Sequence, residues 1–302
     1  MSTSKESEVL SCASCGIAGD GIKLKKCTAC YLVRYCSVKC QRDHWKQHKK
    51  ECKKRAAELR NEILFKQPES NHWGDCPICC LPLPIDAQES VLMPCCCKRV
   101  CDGCDVANQK REKEGRLQQK CPFCRKPLVS TEEEKIERLM KRIEANDPMA
   151  VSYMGARRYE EGDYTAALEY LTKAAALGDA KAHYPLYVMY RDGKGVEKDE
   201  KKELHHLTEA AIGGHPYARH NLGCVEEENG RTDRAVKHFI IAAKQGFDTS
   251  LDSLKNGYKA GHVSKDDFDA ALRGYQAAIE ATKSPQRKEA YEFIAAFERT
   301  KI

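Results

Sequence analysis

The sequence predicts a multidomain chain: two small cross-braced modules followed by an all-α helical-repeat solenoid. Three observations predict it. Of the 18 cysteines in 302 residues, 17 lie between Cys12 and Cys124. Those cysteines fall mostly in pairs two or three residues apart, the spacing of metal ligands and not of a disulfide framework. Beyond residue 147, alanine, glycine and tyrosine recur at helical spacing, and no stretch alternates as a strand would.

The length allows two or three domains. The opening MSTSKESEVLSC is polar and does not read as a secretory signal. No run of about 18 apolar residues predicts a transmembrane helix. A cysteine-dense chain of this kind is expected to bind metal in a reducing compartment, cytoplasmic and/or nuclear, with no membrane partner. The net charge of +6 is local, because residues 20–60 carry thirteen Lys/Arg against four Asp/Glu. No base-reading motif accompanies that patch, so nucleic acid is not the expected partner.

The first cysteine cluster, residues 12–52, offers Cys12, Cys15, Cys27, Cys30, Cys36, Cys40, His48 and Cys52. Thiolates and imidazole in this pattern suit tetrahedral zinc, and eight ligands make two closed sites with no open position for hydrolysis. About 40 residues cannot bury enough apolar surface to fold unaided, so the metal decides the fold. The segment YCSVKCQRDHWKQHKKEC closely resembles a MYND finger. The resemblance implies interleaved sites: Cys12, Cys15, Cys36 and Cys40 on one zinc, and Cys27, Cys30, His48 and Cys52 on the other. It also implies recognition of short proline-containing peptides. His44 is left over and reads as a surface histidine. Some MYND fingers accompany SET methyltransferase domains, but this chain is too short and too helical after residue 147 to hold one.

Residues 53–73 read as a linker that starts with a short charged helix and ends at Pro68. The second cluster, within 74–129, has three clear pairs: Cys76 with Cys79, Cys101 with Cys104, and Cys121 with Cys124. A second cross-brace needs one more pair, which the run Cys95–Cys96–Cys97 must supply. Lys98 stands where a RING finger places histidine, and an ammonium has no lone pair to give. Cys95 with Cys97 keeps a one-residue gap; Cys95 with Cys96 is tighter. Divergent RING-like fingers that this one resembles read C-C-G-K here, which favours Cys95 and Cys96. Cys80 reads as a free thiol. Zinc, about four ions per chain, is the expected cofactor.

The RING resemblance implies a contact surface for a ubiquitin-conjugating enzyme at Ile78 and Pro122, and a hydrogen-bonding role for Arg125 toward ubiquitin. A RING-type ubiquitin ligase works by positioning, so no catalytic residue is expected. Non-enzymatic scaffolding and transcriptional co-regulation are the other readings.

Residues 130–146 read as a connecting helix, capped by Ser130 with Glu133 or Thr131 with Glu134. Its apolar stripe would be Ile136, Leu139, Met140 and Ile143. From 147 to 302, three stretches each end in AA-x-x-G, closing on Gly178, Gly214 and Gly246. That period signals a solenoid of helix pairs. The middle copy, YRDGKGVEKDEKKELHHLTEAAIGG, resembles a Sel1-like repeat, and its neighbours are closer to tetratricopeptide spacing. A fourth, degenerate pair would fill 247–302. Such a solenoid offers a surface to protein or peptide partners. His205 and His206, adjacent on one helix, would face different ways and share no metal. Cys224 reads as core packing.

Overall fold

The computed structural model describes residues 10–19 and 21–299. It divides into two compact units, residues 1–66 and 67–302.

In the first unit, strands β1 (Lys25–Lys26) and β2 (Arg34–Tyr35) pair antiparallel, with Lys25 opposite Tyr35. Helix α1 follows over Val38–Leu64. Ser37 caps it, its hydroxyl accepting from the Cys40 amide at 3.2 Å. The charged helix expected to begin at residue 53 is not separate. It is the second half of α1, because no glycine or proline interrupts residues 38–64 and Arg55 bridges to Glu58 and Glu62 along the surface.

The second unit begins with the second cysteine cluster. Strands β3 (Ser90–Met93) and β4 (Lys98–Cys101) form a hairpin, and α2 (Asp102–Glu114) follows. Leu83, Met93 and Val100 make its small core with the cysteines, and Trp73 packs against it. Helix α3 (Glu132–Glu144) is capped by Thr131, which accepts from the Glu134 amide. Leu139 and Ile143 of the expected stripe are buried, whereas Met140 is exposed. Met140 lies at the edge of the stripe, one helical step from Leu139.

Four helix pairs or parts of pairs then stack: α4 (Pro148–Glu160) with α5 (Tyr164–Ala176), α6 (His183–Asp192) with α7 (Glu200–Ile212), α8 (Pro216–Glu228) with α9 (Thr232–Ala243), and α10 (Asp248–Lys259) with α11 (Lys265–Ala281). The three AA-x-x-G endings have one geometry. Gly178, Gly214 and Gly246 all have φ between +82° and +90°. The next amide in each, from Asp179, His215 and Phe247, donates back to Ala174, Ala210 and Ala242. This is the left-handed helix stop that glycine permits without cost to a side chain. In the DGKGV turn, Gly195 (φ +69°) has no room for a side chain, since a Cβ would lie 2.7 Å from the Tyr164 backbone oxygen.

The fourth pair does not fill the C-terminus as expected. A further helix, α12 (Pro285–Arg299), leaves the stack and packs on α2. Its Arg287 donates to the carbonyls of Pro82 (2.7 Å) and Leu81 (3.3 Å) and approaches the Cys79 sulfur at 3.5 Å. The second cysteine module is therefore joined to the repeats. His72 stacks on His215 with ring centroids 4.1 Å apart, and the His72 amide donates to the Gly214 carbonyl.

Candidate functional site: two cysteine braces and a groove

Four clusters of ligand atoms come together, each with its members within 4.8 Å of one another: Cys12, Cys15, Cys36 and Cys40; Cys27, Cys30, His48 and Cys52; Cys76, Cys79, Cys101 and Cys104; and Cys95, Cys96, Cys121 and Cys124. In sequence order the clusters interleave within each module, which is the cross-brace. A zinc about 2.3 Å from each of four tetrahedral sulfurs holds those sulfurs about 3.8 Å apart. Here Cys27–Cys52 is 3.8 Å, Cys79–Cys101 is 3.8 Å and Cys96–Cys121 is 3.9 Å. His48 turns Nε2 to the Cys30 sulfur at 3.2 Å. His48 and Cys52 are one helical turn apart on α1, so one face of that helix presents both.

The electrostatics fit a cation. Burial is the first cause that raises the Cys96 and Cys104 thiols to about 12, with neighbouring sulfurs adding to it for both. Burial likewise pushes the Cys95 thiol up. So many crowded thiolates cannot ionise together in a buried site unless a divalent cation compensates them. These residues fit zinc.

The backbone explains the spacing. Four of the five Cys-x-x-Cys pairs, all but Cys101–Cys104 at the start of α2, are followed by a residue with positive φ whose amide donates back to the first cysteine's carbonyl. Gly16, Tyr31, Cys80 and Arg125 have φ of 75°, 58°, 57° and 63°. Their bonds run to Cys12, Cys27, Cys76 and Cys121 at 2.9–3.0 Å. Only the first is glycine, and the others adopt the left-handed region at a cost of roughly 1 kcal/mol or more each. Cys97 is the fifth case: φ is 52°, and its amide donates to the Met93 carbonyl at 2.8 Å. It closes a turn just after Cys96, which is where the related C-C-G-K pattern puts glycine. Its side chain leaves the sulfur cluster and is buried with Leu139, Ile143 and Met154 in the core of the first helix pair. The structure thus brings Cys95 and Cys96 to the fourth cluster and sends Cys97 elsewhere. Cys80 is exposed, and Cys224 packs part-buried with its sulfur 3.6 Å from the His220 Nε2.

Two sequence readings of histidines need correction. His44 is not a bare surface residue. Its ring stacks on His48 at 5.8 Å, and its Nδ1 pairs with the Tyr35 hydroxyl at 3.1 Å, which braces the ligand histidine. His205 and His206 do converge, because His183 reaches them from α6; the three rings have ligand nitrogens within 4.8 Å.

Ile78, Pro122 and Arg125 line one open groove of about 580 Å³ along α2, with Cys79, Cys104, Ala107, Asn108, Arg111 and, from α12, Gln286. Ile78 is 40 % exposed at its rim. Arg125 donates to the Asn108 side-chain oxygen at 2.9 Å and to Glu112 at 3.1 Å. Glu112 is fully buried and also accepts from the Lys120 amide and the Asn108 side-chain amide. That buried carboxylate is held by three donors, and the second zinc-knuckle loop is tied to α2 through it.

These features define a class: a zinc-binding, helical-repeat protein that works through protein partners. Parts of the chain are similar to known proteins. Residues 12–52 match the MYND finger family. The mouse protein "DAP3-binding cell death enhancer 1" is 27 % identical over 196 residues, covering 52 % of this chain and 38 % of that protein. The chain thus spans about two fifths of the length of that relative. "SET domain-containing protein 14" of Caenorhabditis elegans is 54 % identical over 41 residues, 14 % of this chain and 9 % of that one. Among solved structures, a Sel1 repeat protein from Oxalobacter formigenes aligns with a TM-score of 0.42 at 27 % identity, covering 49 % of this chain and 64 % of that one. No described helix is long and apolar enough to cross a membrane.

Proposed function

We propose that the chain is a zinc-braced docking scaffold whose second finger receives a ubiquitin-conjugating enzyme in the Ile78–Pro122–Arg125 groove. Each of the four finger clusters holds one zinc, four ions in all, with Cys95 and Cys96 completing the last. The MYND finger captures proline-containing peptides, and the repeats bind a protein target. The observation that supports docking is the convergence of Ile78 and Pro122, 44 positions apart, on one groove beside α2. An exposed apolar rim with a basic residue at its end suits the surface of such an enzyme.

Catalysis here is positioning: the finger holds a charged enzyme so that its thioester meets a target lysine. Arg125 would supply planar, multiple donors to the docked ubiquitin. Its present bonds to Asn108 and Glu112 favour a second reading, a scaffold that docks partners without ubiquitin transfer.

Ubiquitin chain formation separates the two. The assay uses the zinc-replete chain with a panel of conjugating enzymes, and Ile78→Ala and Arg125→Ala of verified zinc content. Chains formed by the parent and lost in both variants support transfer. A parent holding its full zinc that forms no chains with any enzyme leaves docking alone.

A further inference from the structure

The geometry points to a further transition-metal site, separate from the fingers, in which His183, His205 and His206 bind a divalent ion such as Zn²⁺, Co²⁺ or Ni²⁺ and leave a coordination position open. His183 opens α6, and His205 and His206 lie on α7. The Nδ1 atoms of His183 and His206 share a hydrogen bond at 2.9 Å, and one ring nitrogen from each of the three histidines lies within 4.8 Å of the others. An ion about 2.0–2.1 Å from each nitrogen needs pairs about 3.3 Å apart in tetrahedral geometry, so small ring rotations suffice.

Ring packing alone does not account for the arrangement. Tyr190 covers the face of His206, with planes 10° apart and centroids 5.5 Å apart. It is the nitrogen edge of His206, not its face, that is presented to His183.

A second observation points the same way. Asp179, which caps the turn before α6, is buried, and its Oδ2 has no hydrogen-bond partner. Its charge acts on His183, as does that of Glu209. Glu209 lies one helical turn beyond His205 on α7. Neither carboxylate bonds to the ring, and the other Asp179 oxygen pairs with Lys181; their negative charge near the three imidazoles favours a bound cation. Three imidazoles with an open position are a ligand set that borderline divalent ions prefer, and hard ions such as Mg²⁺ do not.

The test is cobalt titration of the 302-residue chain brought to four zinc ions, one for each finger cluster, followed by visible absorption and by release of zinc. The expected result is one equivalent of Co²⁺ taken up at micromolar concentration, with weak d–d bands, no thiolate-to-cobalt charge-transfer band and no zinc released. His205→Ala changes an exposed side chain and leaves the helix intact; it should weaken uptake more than roughly tenfold. Asp179→Asn keeps the cap and, by removing a nearby charge, should weaken uptake by only about severalfold. The exposed His262→Ala should change nothing. Absence of cobalt uptake beyond zinc exchange overturns the assignment, as does uptake that carries the thiolate band or survives His205→Ala.

Discussion

The two fingers share one ligand arithmetic and differ in what surrounds it. In the first, the buried set is Cys12, Cys27, Cys30, Cys52, Tyr35 and His48. In the second, Leu83, Met93 and Val100 add an apolar core, Arg287 of α12 caps the Leu81–Pro82 loop, and Cys97 is shared with the first helix pair. The first finger is folded by its metal. The second is folded by metal and repeats together, so its groove is held by a larger body. Rigidity of that kind is what a positioning site requires.

The largest effect that could break this comparison is zinc removal. Zinc contributes on the order of 10 kcal/mol per structural site. Chelation should take the amides of residues 12–36 to full hydrogen exchange, while β3, β4 and α2 keep partial protection. Equal loss in both fingers would erase the distinction.

Arg287→Ala should come next, with about 1–3 kcal/mol lost, since it withdraws charge-assisted bonds from the Leu81 and Pro82 carbonyls. Faster chelation of the second finger's zinc, with the first finger's rate unchanged, is the expected readout. The same change moving both rates would contradict the separate supports.

The joint at His72 and His215 should be acid-sensitive. Burial, and for His72 also His215 beside it, lowers these groups from 6.5 to about 2 and about 3. Both are neutral when folded, and the unfolded chain binds their protons first as pH falls. Stability is therefore full above pH 6.5 and declines toward pH 3, by up to about 1.4 kcal/mol per pH unit for each group. Denaturation of His215→Gln should show a flatter slope over that window.

The smallest effect sharpens the cysteine assignment. Cys97→Ala should keep all zinc and cost about 1 kcal/mol of packing, whereas Cys96→Ser should lose one equivalent by native mass spectrometry. The reverse pattern would move the ligand to Cys97.

Much of this was legible in the sequence because knuckle spacing and helix stops are local. The pairs around Cys12, Cys27, Cys76 and Cys121 and the closing Gly178, Gly214 and Gly246 each encode a turn within five residues. What was not legible is tertiary. The C-C-G-K resemblance already favoured leaving Cys97 out of the cluster, but the core that α3 offers its side chain is not marked by three consecutive cysteines. His183 joins His205 and His206 from another helix, a meeting that adjacency on α7 argues against. Arg287 reaches Pro82 across 205 positions, and no local pattern marks it.

The most direct test of the central claim is binding of ubiquitin-conjugating enzymes to the zinc-loaded chain, measured by calorimetry for the parent, Ile78→Ala and a first-finger His48→Ala. At least one enzyme should bind the parent, with binding abolished by Ile78→Ala and preserved by His48→Ala. Binding that survives Ile78→Ala but fails with His48→Ala would put the docking surface on the other finger and contradict it.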